Sequence, residues 1–380
     1  MVAVQVKFVD AGALYVSWRW EHALDEPRVI AVPRDLIQEA LDALAQAVPS
    51  PLPGESAGDA LTRAVENGPL LDRSRETVLA AQLSRALLPH QLAMELNALV
   101  EQGIRPHLRI QPSPSTAFVP WEALRVDEGE RTVHHADVSV LPPASVRNAV
   151  GRQVSPFSST GPVVGVLDPR IPGFGDSSAL GSVLGSGCPE SLVARYGVRR
   201  DDTDRVFVES ALVDAARFLY VGHVTTGEHA LDARMHLSCR TDVPGVAAPL
   251  GAHRPLTAAD IVLRGWHVPN RVALIACESG GDNRFAEPSG LVAAMVHGGA
   301  EHVVSTRWTL PTDAGLAHLA QVTTPVLGHA VMAVDTAQAA ADPVAALAAW
   351  QRDQAMLWES TGDPTYSPII WAAFATAWAP

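Results

Sequence analysis

The feature that most constrains the fold is a short, uninterrupted apolar run that ends on a cysteine, within RVALIACESGGD at residues 271–282. The apolar residues 272–276 leave no polar side chain to face solvent, which is typical of a parallel strand covered on both faces. Gly280 and Gly281 then permit a tight turn. The run therefore predicts Cys277 at the carboxyl end of a buried strand, where open α/β sheets bind their ligands.

A second run has the same form and ends on a histidine. RFLYVG at residues 217–222 is followed directly by His223. If the two strands are neighbours, a thiol and an imidazole emerge side by side, which is the pairing that a cysteine nucleophile requires. A third apolar run, 163–167, ends at Asp168 and is expected at the same sheet edge. Cys277 and His223 are thus the candidate catalytic residues.

Strand-like and helix-like segments alternate along the second half of the chain, which predicts an α/β fold with a mostly parallel sheet. Residues 1–32 instead alternate apolar and polar side chains around turns, which predicts a β-hairpin or three-stranded meander. A helix is expected over residues 33–48, with Pro33 in its first turn and Leu36 on its buried face. Residues 49–59 have the composition of a linker.

Local signals predict where several other elements begin and end. Ser74 is expected to cap a long helix that Pro89 breaks. Thr257 and Asp313 are expected to cap two later helices. The segment IIWAAFATAW at 369–378 is predicted to form a last strand that buries its aromatic side chains.

Composition excludes several functional classes. A formal charge of −13 argues against direct binding of nucleic acid, and no apolar stretch approaches the roughly 20 residues of a membrane span. Lys7 is the only lysine, which rules out a phosphate-binding GK[ST] loop and a Schiff base. Three widely spaced cysteines and the lack of a signal peptide indicate the reducing cytoplasm. We expect no metal and no cofactor.

Several of these segments, in order, resemble the CHAT domain, a bacterial branch of the caspase-like cysteine peptidases. Each is short, but their order and spacing together are specific, and they cover roughly residues 80–380. The matching segments are RPHLRIQPSPSTAFVPWEAL at 105–124, LYVGHVTTG at 219–227, MHLS at 235–238, LTAADI at 256–261, IACESGG at 275–281, GGAEHVVSTRW at 298–308 and AALAAWQRDQ at 345–354.

The resemblance implies a caspase-like α/β/α sandwich with a mostly parallel central sheet. A small region of β-hairpin and helix and a degenerate α/β half would precede it. The expected domains are an N-terminal β/α region at 1–75, the N-terminal half of the CHAT domain at 76–160, and the caspase-like catalytic domain at 161–380.

The resemblance also implies a cysteine endopeptidase that uses a Cys277–His223 dyad, with the backbone N–H groups of Cys277 and Val224 as the oxyanion hole. The family usually has glycine where Val224 stands, so this residue departs from the pattern. Asp168 and Glu278 are candidates for a substrate pocket that prefers a basic residue before the scissile bond.

The implied partners are a protein or peptide substrate and a regulatory or activating protein, since CHAT proteins often act as effectors in bacterial defence or cell-death systems. Val224 keeps a second hypothesis open: a non-catalytic interaction or scaffold module built on the caspase-like fold. Reactivity of Cys277 towards a thiol probe distinguishes the two hypotheses.

Overall fold

The computed structural model describes residues 2–277, 279–285 and 290–380, and the chain forms two compact units. The first contains the chain up to Leu141, together with Gly315–Val322 and Val344–Ala375. The second contains Pro142–Ala314, Thr323–Pro343 and Thr376–Pro380. The expected domain boundaries at residues 75 and 160 stay a prediction.

The strands, in chain order, are β1 (Ala3–Ala11), β2 (Ala13–Trp20), β3 (Arg28–Val32), β4 (His107–Gln111), β5 (Arg125–Asp127), β6 (Glu130–Arg131), β7 (Asp137–Val140), β8 (Val163–Leu167), β9 (Arg217–Gly222), β10 (Val224–Thr225), β11 (Arg234–Met235), β12 (Leu256–Thr257), β13 (Arg271–Ala276), β14 (His302–Thr306) and β15 (Phe374–Trp378). The helices are α1 (Arg34–Ala47), α2 (Ala57–Glu66), α3 (Arg73–Leu87), α4 (His90–Glu101), α5 (Thr132–His135), α6 (Ala144–Arg147), α7 (Glu190–Tyr196), α8 (Arg205–Leu212), α9 (Ala258–Arg264), α10 (Leu291–His297), α11 (Asp313–Ala320), α12 (Val326–Ala339), α13 (Pro343–Thr361) and α14 (Pro368–Trp371).

In the first unit, five strands lie side by side in the order β3-β2-β1-β4-β7. β1, β2 and β3 pair antiparallel, whereas β4 runs parallel to both β1 and β7. The predicted meander over residues 1–32 is confirmed. Its alternation has a physical cause: Val6 and Phe8 of β1 are buried, and Lys7 between them is exposed.

Several local predictions for the first unit were wrong, and one was confirmed. Pro33 lies one residue before α1 in an extended conformation, and Leu36 is 66% exposed, so neither has its predicted place. Asp72, not Ser74, caps α3, because its side chain accepts the N–H of Arg75. Pro89 does separate α3 from α4, as predicted. Helix α2 begins inside the predicted linker.

In the second unit, the strand order is β14-β13-β9-β8, and all three pairings are parallel. Every residue of β9 and β13 is buried, which requires cover on both faces of the sheet. The predicted fold class is therefore confirmed: a mixed α/β fold with a mostly parallel sheet and helices on both sides. A small antiparallel sheet, β10-β11-β12, follows β9.

Three capping and strand predictions have different outcomes. Thr257 caps α9, since its hydroxyl accepts the N–H of Asp260. Asp313 is the first residue of α11, and its carboxylate accepts N–H groups of Leu327 and Gly328 at the start of α12. The predicted last strand over 369–378 was wrong in its first part, which forms the end of α14, because Pro368 and the cap from Ser367 start a helical turn there.

No helix within the described residues has both the length and the apolar character needed to cross a membrane.

Candidate active site

The two candidate catalytic residues follow directly after the paired ends of neighbouring strands. β9 and β13 are parallel, and Gly222 is paired with Ala276 in their register. His223 and Cys277 are each the next residue along the chain. Adjacent strands lie about 4.8 Å apart, so both residues emerge at the same edge of the sheet. The expectation that the two strands are neighbours is confirmed, whereas the catalytic role of the two residues stays a prediction.

One hydrogen bond determines the tautomer of His223. Its Nε2 atom lies 2.8 Å from the carbonyl oxygen of Gly181. A carbonyl can only accept, so Nε2 carries the proton and Nδ1 of the neutral ring is free to accept one. Burial lowers the pKa of His223, while the Gly181 bond and the negative charge of Asp168 act in the opposite direction. The neutral ring that results suits a group that removes a proton from a thiol.

Buried contacts also hold the backbone of His223. Its carbonyl oxygen accepts the hydroxyl of Tyr220 at 2.7 Å and the N–H of His236 at 3.0 Å. Burial raises the pKa of Tyr220 well above its usual value, so this hydroxyl stays a donor. Only glycine fits at position 222, because a Cβ atom there would lie 2.7 Å from Oη of Tyr220. The residue before the histidine is therefore specified by packing.

A reciprocal pair of hydroxyl groups fixes the turn after Cys277. Ser279 and Thr306 are buried, and the hydroxyl of each accepts the N–H of the other, at 3.3 and 3.0 Å. Each hydroxyl also donates to a carbonyl oxygen of β13, Ser279 to Leu274 and Thr306 to Ala276. The last turn of backbone around Cys277 is thus tied to both β13 and β14.

Val224, the predicted partner in the oxyanion hole, lies in β10 opposite Met235. The residue is 5% exposed. The valine therefore packs inside the second unit, and the role of its N–H group stays a prediction.

Asp168 follows β8 and its side chain is almost completely buried, with 1% of the residue exposed. Its carboxylate accepts the N–H of Val183 at 3.0 Å, the N–H of Leu184 at 3.4 Å and the hydroxyl of Ser182. A guanidinium nitrogen of Arg199 lies 3.5 Å away. The structure thus gives this predicted pocket residue partners within the protein. Glu278, the other predicted pocket residue, lies outside the described residues.

The buried histidines near the site are bonded to each other. Nδ1 of His253 faces the carbonyl of Cys239 at 2.9 Å and must donate, so its Nε2 accepts from Nδ1 of His236 at 3.1 Å. Nε2 of His236 in turn accepts the hydroxyl of Thr225 at 3.0 Å. Burial lowers the pKa of His236 to about 3. All four ring nitrogens are used, and the described residues contain no group of three or more potential metal ligands.

The three cysteines differ in their surroundings, and none of them forms a disulfide. Cys239 is buried and accepts the N–H of Arg205 at 3.2 Å. Burial raises the pKa of the Cys188 and Cys239 thiols. These two thiols are therefore expected to react slowly, which makes them internal references for the reactivity of Cys277.

The contacts that hold the two candidate residues were not predicted from the sequence, although some of them lie in segments that resemble the CHAT domain. Ser279 and Thr306 both fall in segments that carry the family resemblance. Gly181 and Ser182 lie in a glycine- and serine-rich loop that gives no sequence signal of contact with a distant histidine.

Comparison with known proteins agrees with the fold and with the motifs. The CHAT domain family profile matches residues 77–378. No curated protein matches the sequence. Two crystal structures of the Saccharomyces cerevisiae separase–securin complex match over 100% of this chain, with a TM-score of 0.50 and identities of 12% and 11%. This chain spans 30% of the length of the separase chain. Identity this low establishes a shared fold alone.

Proposed function

The chain belongs to the CHAT domain family, and we propose that it is a caspase-like cysteine endopeptidase that hydrolyses peptide bonds with Cys277 and His223. The observation that carries the proposal is the register of β9 and β13, in which the last residues of the two strands, Gly222 and Ala276, are paired with each other. The tautomer of His223, in which Nδ1 can accept a proton, and the anchored turn after Cys277 support it further.

The proposed reaction begins when Nδ1 of His223 takes the thiol proton of Cys277. The thiolate attacks the peptide carbonyl carbon, and the N–H groups of Cys277 and Val224 hold the oxyanion. The imidazolium then protonates the leaving amine, which departs as the C–N bond breaks and a thioester remains. Water, deprotonated by His223, attacks this thioester and releases the carboxylic acid and the thiol.

Substrate choice is a separate part of the proposal. A carboxylate of Asp168 or Glu278 in the substrate pocket would favour arginine or lysine before the scissile bond. Asp168, however, is already bonded to three groups of the protein and lies beside Arg199. Retention of a preference for basic residues in an Asp168→Ala variant would remove this residue from the pocket.

The biological setting that we propose is a regulated effector in a bacterial defence or cell-death system, acting in the cytoplasm on a protein substrate. A regulatory or activating protein is the expected partner. The N-terminal region 1–75 and the loops at 169–190 and 239–255 are candidate surfaces for it. The net charge of −13 and the three thiols support a cytoplasmic protein that does not bind nucleic acid directly.

The test is selective labelling of Cys277 by iodoacetamide or an acyloxymethyl-ketone probe, located by mass spectrometry. We expect Cys277 to react at least about tenfold faster than Cys188 and Cys239, because His223 can accept its thiol proton. His223→Ala should abolish the difference, and Cys277→Ala should abolish proteolysis while the protein stays folded. Proteolysis that persists in Cys277→Ala would reject the assignment.

A non-catalytic interaction or scaffold module is the second candidate. The observation that favours it is Val224, a buried β-branched residue where the family usually has glycine. This alternative predicts that Cys277 is no more reactive towards the probe than Cys188 or Cys239. A Val224→Gly variant provides the matched comparison: a gain in cleavage would show that the valine restrains an otherwise complete site.

A further inference from the structure

We propose that Asp168 is a positioning residue for His223, which it controls through the loop at residues 181–184. The inference rests on the proposed peptidase function and names a residue on which that function depends. It differs from a pocket role, because the carboxylate would act on the protein and not on the substrate.

The carboxylate of Asp168 is hydrogen-bonded to three consecutive residues of the loop. Both of its oxygens are in use: Oδ1 accepts the N–H of Val183, and Oδ2 accepts the hydroxyl of Ser182 and the N–H of Leu184. The hydroxyl of Ser182 also accepts the N–H of Gly185 at 2.9 Å. A buried carboxylate that is bonded to three donors strongly favours one loop conformation, because each donor would otherwise lose its partner.

The second step connects the loop to the imidazole. Gly181, the residue before Ser182, supplies the carbonyl that holds Nε2 of His223. Backbone bonds from Gly181 to Ser178 and from Ser182 to Asp176 also hold this segment. Loss of the carboxylate would leave the carbonyl of Gly181 less firmly held and would weaken the bond that keeps the proton on Nε2. Asp168 therefore acts on the tautomer of His223 through two contacts, its own bond to Ser182 and the bond from His223 to Gly181. Within the described part of the chain, Asp168, Arg199 and His236 are charged or titratable groups that act on this histidine.

The third step is the backbone of Asp168 itself. Its φ of 47° lies in the left-handed region, as does the φ of 57° at Arg199. Residues other than glycine rarely adopt this conformation, and it persists where surrounding contacts enforce it. The N–H of Asp168 donates to the carbonyl of Val221 in β9 at 2.6 Å, and Arg199 lies against the carboxylate. The strained turn thus places the carboxylate under the loop, facing away from solvent.

The experiment compares Asp168→Asn and Ser182→Ala with the wild-type chain. Asp168→Asn keeps the shape and removes the charge, while Ser182→Ala removes one of the three donors to the carboxylate and leaves residue 168 unchanged. Ser182→Thr keeps the hydroxyl and is the conservative rescue. Asp176→Asn is the matched control, since Asp176 is an acid of the same loop region that also pairs with Arg199, yet its side chain is 76% exposed.

Two readouts are used. The first is the rate of iodoacetamide alkylation at Cys277 as a function of pH. The second is the tautomer of His223, read from imidazole ¹⁵N chemical shifts and assigned with a His223→Ala sample. We expect Asp168→Asn and Ser182→Ala to slow alkylation at pH 7 at least about tenfold, to move the rate profile towards an ordinary thiol, and to lose the Nε2–H tautomer. Ser182→Thr and Asp176→Asn should stay within about threefold of the wild type.

The outcomes separate this inference from the proposed function. Unchanged pH profiles and an unchanged tautomer in both variants would overturn the positioning role and leave the peptidase intact. Loss of cleavage only at arginine in an Arg/Leu peptide pair, confined to Asp168→Asn, would replace positioning by a pocket role. If wild-type Cys277 reacts no faster than Cys188, the peptidase proposal fails, while the tautomer measurement still decides the role of Asp168.

Discussion

The meander β1–β3 and the strand pair β9–β13 differ in how many of their faces are covered. In the meander, buried and exposed side chains alternate, and strand β3 is at the outer edge with an exposed centre. In β9 and β13 every residue is buried. Only the second arrangement carries candidate catalytic residues at its strand ends. Strands held from both sides cannot shift in register without moving the whole core, so their ends are suited to hold reacting groups in place.

We expect the largest difference in the free energy of unfolding when one aromatic side chain is truncated in each of the two regions. Phe218 of β9 is 1% exposed, and Phe218→Ala should lower the free energy of unfolding by about 3–5 kcal/mol. Tyr15 of β2 is 41% exposed, so Tyr15→Ala should cost less than about 1 kcal/mol. Urea unfolding of both variants measures the difference. Equal losses would mean that the meander contributes as much to the core as the buried pair.

Acid sensitivity should concentrate beside the buried pair. His236 has a pKa of about 3 in the folded protein, below the roughly 6.5 of the unfolded chain. The folded state therefore excludes a proton that the unfolded state binds. Its contribution to stability is present above pH 6.5 and is lost as the pH falls towards 3, by about 1.4 kcal/mol per pH unit.

Urea midpoints between pH 7 and pH 5 measure this loss. His236→Gln should make the slope shallower by about that amount, because glutamine does not titrate. Val29→Ala, an exposed change in the edge strand β3, should leave the slope as it is in the wild type. A steep slope that survives in His236→Gln would place the acid-sensitive group elsewhere.

The same contrast explains how much of the fold could be predicted from the sequence. Continuous apolar runs predicted β8, β9 and β13, and alternation predicted the meander, because both patterns follow from local burial. The end of α14 was predicted as strand, because its apolar run carries no periodicity. Ser74 was predicted as the cap of α3 and Asp72 is the cap, since two capping residues close together cannot be separated by propensity alone.

For the site, the sequence predicted the residues at strand ends but not the contacts that hold them. Ser279 meets Thr306 only because β13 and β14 are paired in a particular register. Asp168 reaches Ser182 across a loop, and Gly181 reaches His223 from a different part of the chain. Such contacts depend on tertiary structure, and residue pattern within a window contains no information about them.

The smallest effect that we predict concerns the hydroxyl pair after Cys277. Thr306→Val keeps the shape but removes the hydroxyl's bonds to the carbonyl of Ala276 and to the N–H of Ser279. These two groups keep only their 3.3 Å bond to each other, so the change should cost about 1–3 kcal/mol. Thr306→Ser keeps the hydroxyl and should retain most of the stability that Thr306→Val loses. Ser17→Ala in the meander should stay within about 0.5 kcal/mol. If the pair serves the site, Thr306→Val must also slow iodoacetamide labelling of Cys277, because the turn that carries the thiol would be loosened. A variant that loses stability yet labels at the wild-type rate would show that buried hydroxyls stiffen the sheet without positioning the nucleophile.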